Sequence, residues 1–240
     1  MRRAALVVCL LLAGVLLAPA TADARFAVPR NSLQLIVASS STTDPANYLV
    51  TLETYERSEP GARWHRAYGP WPAETGYGHL LTSRVEGDGS TPIGEWGLGM
   101  TIYGNEPAPG GLHYAYHHLV CGDWWDEDPF SPRYNRFVSV PCQIRPGFWS
   151  WSEALWTETT AYPYFAVIKF NMDPTIGGSE APGSGIFLHS WVGGATAGCV
   201  ALHEPELLRV LRWIRPSAHP EIEIGLSGQV TDVSSQAASR

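Results

Sequence analysis

Gly185-Ile186-Phe187-Leu188-His189-Ser190-Trp191-Val192-Gly193-Gly194-Ala195-Thr196-Ala197-Gly198-Cys199-Val200 is the stretch on which the fold turns. Gly185 to His189 is a short apolar run of buried-strand character that ends on a histidine. A glycine-rich loop follows, and Gly198-Cys199 leads into a second short apolar run. Such a loop can fold Cys199 back against His189, where an imidazole helps to make the thiolate needed for nucleophilic attack. Glycine beside the nucleophile lets backbone N–H groups approach a carbonyl oxygen as it gains charge. A buried structural cysteine with an unrelated histidine fits the same spacing.

Beyond this stretch, Leu207, Leu208, Leu211 and Ile214 share one face at helical spacing. They predict a helix over 205–214, with Pro205 in its first turn and Pro216 beyond its end. Leu33 to Val37, Tyr48 to Tyr55, Trp64 to Tyr68, Ile93 to Tyr103, Phe165 to Phe170 and Ile222 to Ile224 have strand composition. The Gly- and Pro-rich segment from Gly69 to Gly78 reads as an interruption. Many short strands and one good helix make a mainly β domain. From Gly110 to Thr160 the texture changes: five tryptophans, an acidic run from Asp123 to Asp128 and two cysteines, without core periodicity of its own. It reads as an insertion beside the main sheet, and the acidic run as a solvated loop.

Arg2-Arg3, the apolar run from Ala4 to Ala18 and Ala20-Thr21-Ala22 predict a secretory signal over 1–22, removed after Ala22. That run is shorter than the roughly 20 residues a membrane helix needs. No later stretch is apolar enough, so no stable membrane span is expected after cleavage. Residues 23–228 then form one domain, and the polar segment 229–240 a flexible tail. Acidic residues number 23 against 16 basic, for a net charge of −7. An acidic surface repels phosphate backbones, which argues against nucleic acid as a partner. Cys9 leaves with the signal, so Cys121, Cys142 and Cys199 remain: in an oxidising compartment, one disulfide and one leftover thiol. No Cys-x-x-Cys occurs, and His113, His117 and His118 beside Asp123 and Asp126 lack a metal-binding spacing, so no metal is expected.

His189, Thr196, Gly198 and Cys199 resemble the signature of the YkuD-type L,D-transpeptidases: a histidine at a strand end, a Gly-rich loop, then Ser or Thr, His, Gly and Cys. Asp88-Gly89-Ser90-Thr91-Pro92-Ile93-Gly94-Glu95-Trp96 is similar to the family's Thr-Pro element, which comes earlier in the chain. The resemblance spans Leu33 to Gly225, with 110–160 as extra material. It implies a β-sandwich with one C-terminal helix, a catalytic cleft and no cofactor. Cys199 would attack the bond before the terminal D-amino acid of a peptidoglycan stem peptide, and His189 would be the base. The Ser190 carbonyl would hold the other His189 nitrogen, and N–H groups of Gly198 and Cys199 would form the oxyanion hole. His79, Thr196 and Trp191 would face substrate.

The resemblance further implies an extracytoplasmic, cell-wall location and carbapenem-type β-lactams as inhibitors. Ala197 stands where the family has a second histidine, the loop to Cys199 is short, and Val200-Ala201-Leu202 lacks the arginine that often follows the cysteine. Pairing Cys121 with Cys142 would leave Cys199 free, reactive below the free-thiol value of about 8.5, with 110–160 as a cap over the cleft. An L,D-carboxypeptidase using the same residues, or a non-catalytic wall-binding module, are the alternative readings.

Overall fold

The computed structural model describes residues 26–41, 47–231 and 233, so the expected leader over 1–22 lies outside the described residues. The strands are β1 (Gln34–Ser40), β2 (Leu49–Glu56), β3 (His65–Glu74), β4 (Leu80–Leu81), β5 (Thr91–Pro92), β6 (Gly94–Gly104) and β7 (Ala115–His118). They continue with β8 (Asp123–Asp126), β9 (Arg136–Ser139), β10 (Glu153–Ala154), β11 (Phe165–Ile168), β12 (Phe187–Ser190), β13 (Val200–Leu202) and β14 (Glu221–Leu226). The one α-helix among the described residues is α1 (Glu204–Trp213). The chain is mainly β with a C-terminal helix, as its sequence predicts. No helix among the described residues is long and apolar enough to cross a membrane.

Nine strands form the main sheet in the order β11-β12-β13-β3-β2-β1-β14-β6-β7. Long β6 pairs with β14 through its first half and with β11 through its second, so the ladder closes on itself. Inside lies an apolar core that includes Ile36, Leu52, Ile102, Leu188 and Ile224. Helix α1 docks its periodic face, Leu207, Val210 and Leu211, into the same core. Buried Gln34 ties the helix end to β1: its amide donates to the Trp213 carbonyl at 2.8 Å and accepts from Arg215 N–H at 2.8 Å. The end of the helix therefore leaves few orphan carbonyls.

Three local expectations are corrected. The Gly/Pro segment does not interrupt a strand: β3 runs through Gly69, Pro70 and Pro72. Its register against β2 shifts near Tyr68, and β13 pairs it only at Glu74, so most of its other edge is free. Prolines fit where no ladder donor is required. The acidic run is not a solvated loop, since Asp123 and Asp126 are fully buried in β8. Asp123 accepts from Val120 N–H at 2.9 Å and pairs with His117 at 2.8 Å, while Asp126 accepts from the Ser131 hydroxyl at 2.6 Å. Buried carboxylates are tolerated when such partners are supplied.

The segment 110–160 is also built more deeply into the fold than its texture suggests. β7 extends the main sheet beside β6, and β8, β9 and β10 make a small second sheet. Trp125 and Leu155 are buried with Phe165, Phe187 and Cys199 in a second core cluster. A disulfide joins Cys121 and Cys142, Cα atoms 5.0 Å apart, and leaves Cys199 as the free cysteine among the described residues. At the C-terminal end Val230 is buried, and Thr231 bonds to Glu223 through both its N–H and its hydroxyl.

Candidate active site

The two sequence motifs meet in space. Thr196 bridges to Gly76, and Tyr77 N–H donates to the Thr196 carbonyl at 2.9 Å. The Thr91 hydroxyl of the Thr-Pro element accepts Gly76 N–H at 2.7 Å and reaches the Cys199 carbonyl at 3.5 Å. Thr196 Oγ1 donates to that carbonyl at 2.8 Å. Such close approach of three backbones needs glycine: a Cβ on Gly76 would stand 2.1 Å from the Gly89 oxygen and 3.1 Å from Gly198 Cα. The peptide carrying Cys199 is thus clamped from both motifs, although 108 residues separate Thr91 from Cys199.

Parallel pairing of β12 with β13 sets His189 opposite Ala201, two residues beyond Cys199. His189 Nδ1 lies 2.8 Å from the Ser190 carbonyl, which makes Nδ1 the protonated nitrogen and leaves Nε2 free as a base. Cys199 Sγ accepts Phe187 N–H at 3.3 Å and donates to the Gly185 carbonyl at 3.2 Å. Tyr162 lies edge-on to the His189 ring at 5.4 Å and lines the same cavity as Cys199.

Both reactive groups are buried, Cys199 at 7% and His189 at 4% exposure. Burial lowers His189 to about 4, against the opposing pull of the Ser190 and Ala161 carbonyls. Burial likewise raises the Cys199 thiol far above its ordinary range, with Glu153 and Glu127 adding to the rise and Phe187 N–H and Arg84 opposing it. A neutral thiol beside a neutral imidazole is the result, not a preformed ion pair. Burial thus acts against the expected reactivity below the free-thiol value.

Cys199 opens into a cavity of about 430 Å³. Its walls include Tyr77, Arg84 and Ser184 from the main domain and Glu127, Glu153 and Glu158 from the 110–160 segment. Burial and the nearby Glu153, Glu86 and Asp126 carboxylates push Glu127 well above the carboxylate range. Burial and the Glu158 charge push Glu153 up to about 7, while its bond from Tyr162 opposes this.

Several predicted residues sit elsewhere. His79, in a left-handed backbone conformation, is not on the cavity wall. Trp191 lies over a separate shallow hollow with His203, its indole N–H donating to Glu74. Thr196 turns inward to brace Cys199, and its Oγ1 accepts Gly198 N–H at 3.1 Å, so that N–H is not free for an oxyanion. Arg84, Glu127, Glu153 and Tyr162 were not singled out from sequence. They come from distant segments and carry no local spacing; only the proximity of Arg84 to the Thr-Pro element pointed toward the site.

The family model of the YkuD L,D-transpeptidase catalytic domain matches residues 40–224. Neither a curated protein nor a solved structure matches the chain.

Proposed function

This chain belongs to the YkuD family of L,D-transpeptidase catalytic domains, and from that membership we propose that it crosslinks peptidoglycan stem peptides through a thioester on Cys199. The observation that carries this is the free cysteine held on a cavity wall by both family motifs, with His189 on the adjacent strand. The thiol turns from the Gly185 carbonyl toward His189, and Nε2 takes its proton as sulfur bonds to the substrate carbonyl carbon. When the C–N bond breaks, the imidazolium returns that proton to the leaving D-amino acid. An amine of a second stem then attacks the thioester, passes its proton to His189 and releases Cys199, which is reprotonated. No step calls for a cofactor.

Export to the cell wall is part of this proposal. It is supported by the charged, apolar and small-residue pattern of 1–22 and by the Cys121–Cys142 disulfide, which suits an oxidising compartment. The segment 110–160 is proposed as a cap, because Glu127, Ser152, Glu153 and Glu158 wall the cavity at Cys199.

Incubating the purified protein with sacculi and reading the muropeptides by mass spectrometry tests the reaction. New crosslinked dimers that disappear in Cys199→Ala are expected. Shortened monomers alone would make the protein an L,D-carboxypeptidase, and an unchanged profile with retained sacculus binding would make it a wall-binding module. A carbapenem should add its mass to Cys199 alone.

A further inference from the structure

Among the described residues Arg84 is the only cation on the wall of the Cys199 cavity, and its side chain is 3% exposed. Its Nε donates to Ser90 Oγ at 3.2 Å, and Nη2 lies 3.5 Å from Asp88. The guanidinium also stacks over the Phe170 ring at 5.3 Å. Nη1 is buried and donates to nothing. An unmatched buried donor is costly, and for a charged group more so, which makes a missing partner the natural account.

The guanidinium is cradled by backbone. A Cβ on Gly183 would fall 2.7 Å from Nη1, and one on Gly198 would fall 3.5 Å from Nη2. Both glycines have positive φ, 127° and 133°, which side-chain-bearing residues rarely adopt. Gly198 directly precedes Cys199, so the charge is held beside the nucleophile. The carboxylates facing the cavity are otherwise occupied. Glu86 accepts from Ser184 at 2.6 Å and from Tyr134, and Glu153 accepts from Tyr162 at 2.9 Å. Burial and its acidic neighbours favour the protonated form of Glu127.

We propose that Arg84 is a carboxylate subsite, whose free Nη1 receives the C-terminal carboxylate of the peptide bound at Cys199. This rests on the proposed acyl transfer and assigns the residue that recognises the free chain end of the leaving D-amino acid. The acidic walls strengthen selectivity, because Arg84 is the one place in the cavity where a carboxylate is favoured. A guanidinium–carboxylate bond also fixes orientation, placing the scissile carbonyl relative to Sγ.

The test is binding to Cys199→Ala, which needs no turnover. Calorimetry compares a stem tetrapeptide ending in a D-amino acid as the free acid with the same peptide as its C-terminal amide. The acid should bind about ten- to a hundredfold tighter, the range for a hydrogen bond to a charged group. Adding Arg84→Gln should erase that preference; Arg84→Lys should restore part of it. Equal binding of acid and amide to Cys199→Ala, or a preference that survives Arg84→Gln, overturns the subsite whether or not the variant is less stable. Failure of crosslinking in the sacculus assay, with the acid preference intact, would instead remove the transpeptidase reading and leave the subsite standing.

Discussion

Replacing Glu153 with glutamine should change how stability depends on pH. Glu153 lies in β10, and both its oxygens accept the Tyr162 hydroxyl at 2.9 Å. Its carboxyl titrates at about 7 in place of the ordinary 4.5, chiefly through burial. Between those values the folded chain keeps a proton that the unfolded chain has released. This group's contribution is therefore present below the unfolded value and is lost as pH rises through the folded one. Each pH unit between the two is worth about 1.4 kcal/mol, so ionised Glu153 costs the fold on the order of 3 kcal/mol. For a domain of this size that corresponds to roughly 6–12 °C in Tm. Thermal unfolding of wild type and Glu153→Gln across that window should show Tm falling with pH in both, and less steeply in the variant. Some slope remains in the variant, because burial also raises Glu95 and Glu221 to about 7. An unchanged slope in Glu153→Gln, or a wild type that gains stability as pH rises, would refute the reasoning.

Native Cys199 should alkylate slowly and only above the free-thiol range, and Glu153→Gln should move that midpoint downward; iodoacetamide labelling followed by mass spectrometry measures both. Turnover should keep its acidic limb near 4 and stay flat through the ordinary histidine range, because imidazole is the active base and its value lies at about 4; a limb near 6.5 would place His189 in water. Gly76→Ala should cost about 1–3 kcal/mol by overpacking, since its Cβ would stand 2.1 Å from the Gly89 oxygen, and should lower activity by displacing Gly198. Cys121→Ser with Cys142→Ser should lose about 3 kcal/mol in the chain-entropy account, read by denaturant unfolding.

Local pattern carried the elements whose burial is periodic. The apolar face of α1 follows from side-chain spacing and the strands β1, β2 and β6 from their β-branched and aromatic composition, and their observed bounds lie within three residues of the predicted ones. His189 and Cys199 stood out as the ends of a Gly-rich loop after a short apolar strand, and Thr91 through the resemblance of its stretch to the family's Thr-Pro element. Residues whose role depends on distant partners were not legible. Asp123 and Asp126 read as solvated because a run of charges favours a loop; their donors, Val120 N–H and the Ser131 hydroxyl, lie only three and five residues away, and it is the packing of β8 between β9 and β10 that buries them. Tyr162, Glu127, Glu153 and Arg84 reach the cavity from four separate segments, brought together only when the sheet closes through β6 and β11. The protonation of the site was decided the same way. Sequence supplied a thiol and an imidazole, but desolvation depends on what packs around them, and in the assembled core burial favours the neutral form of both.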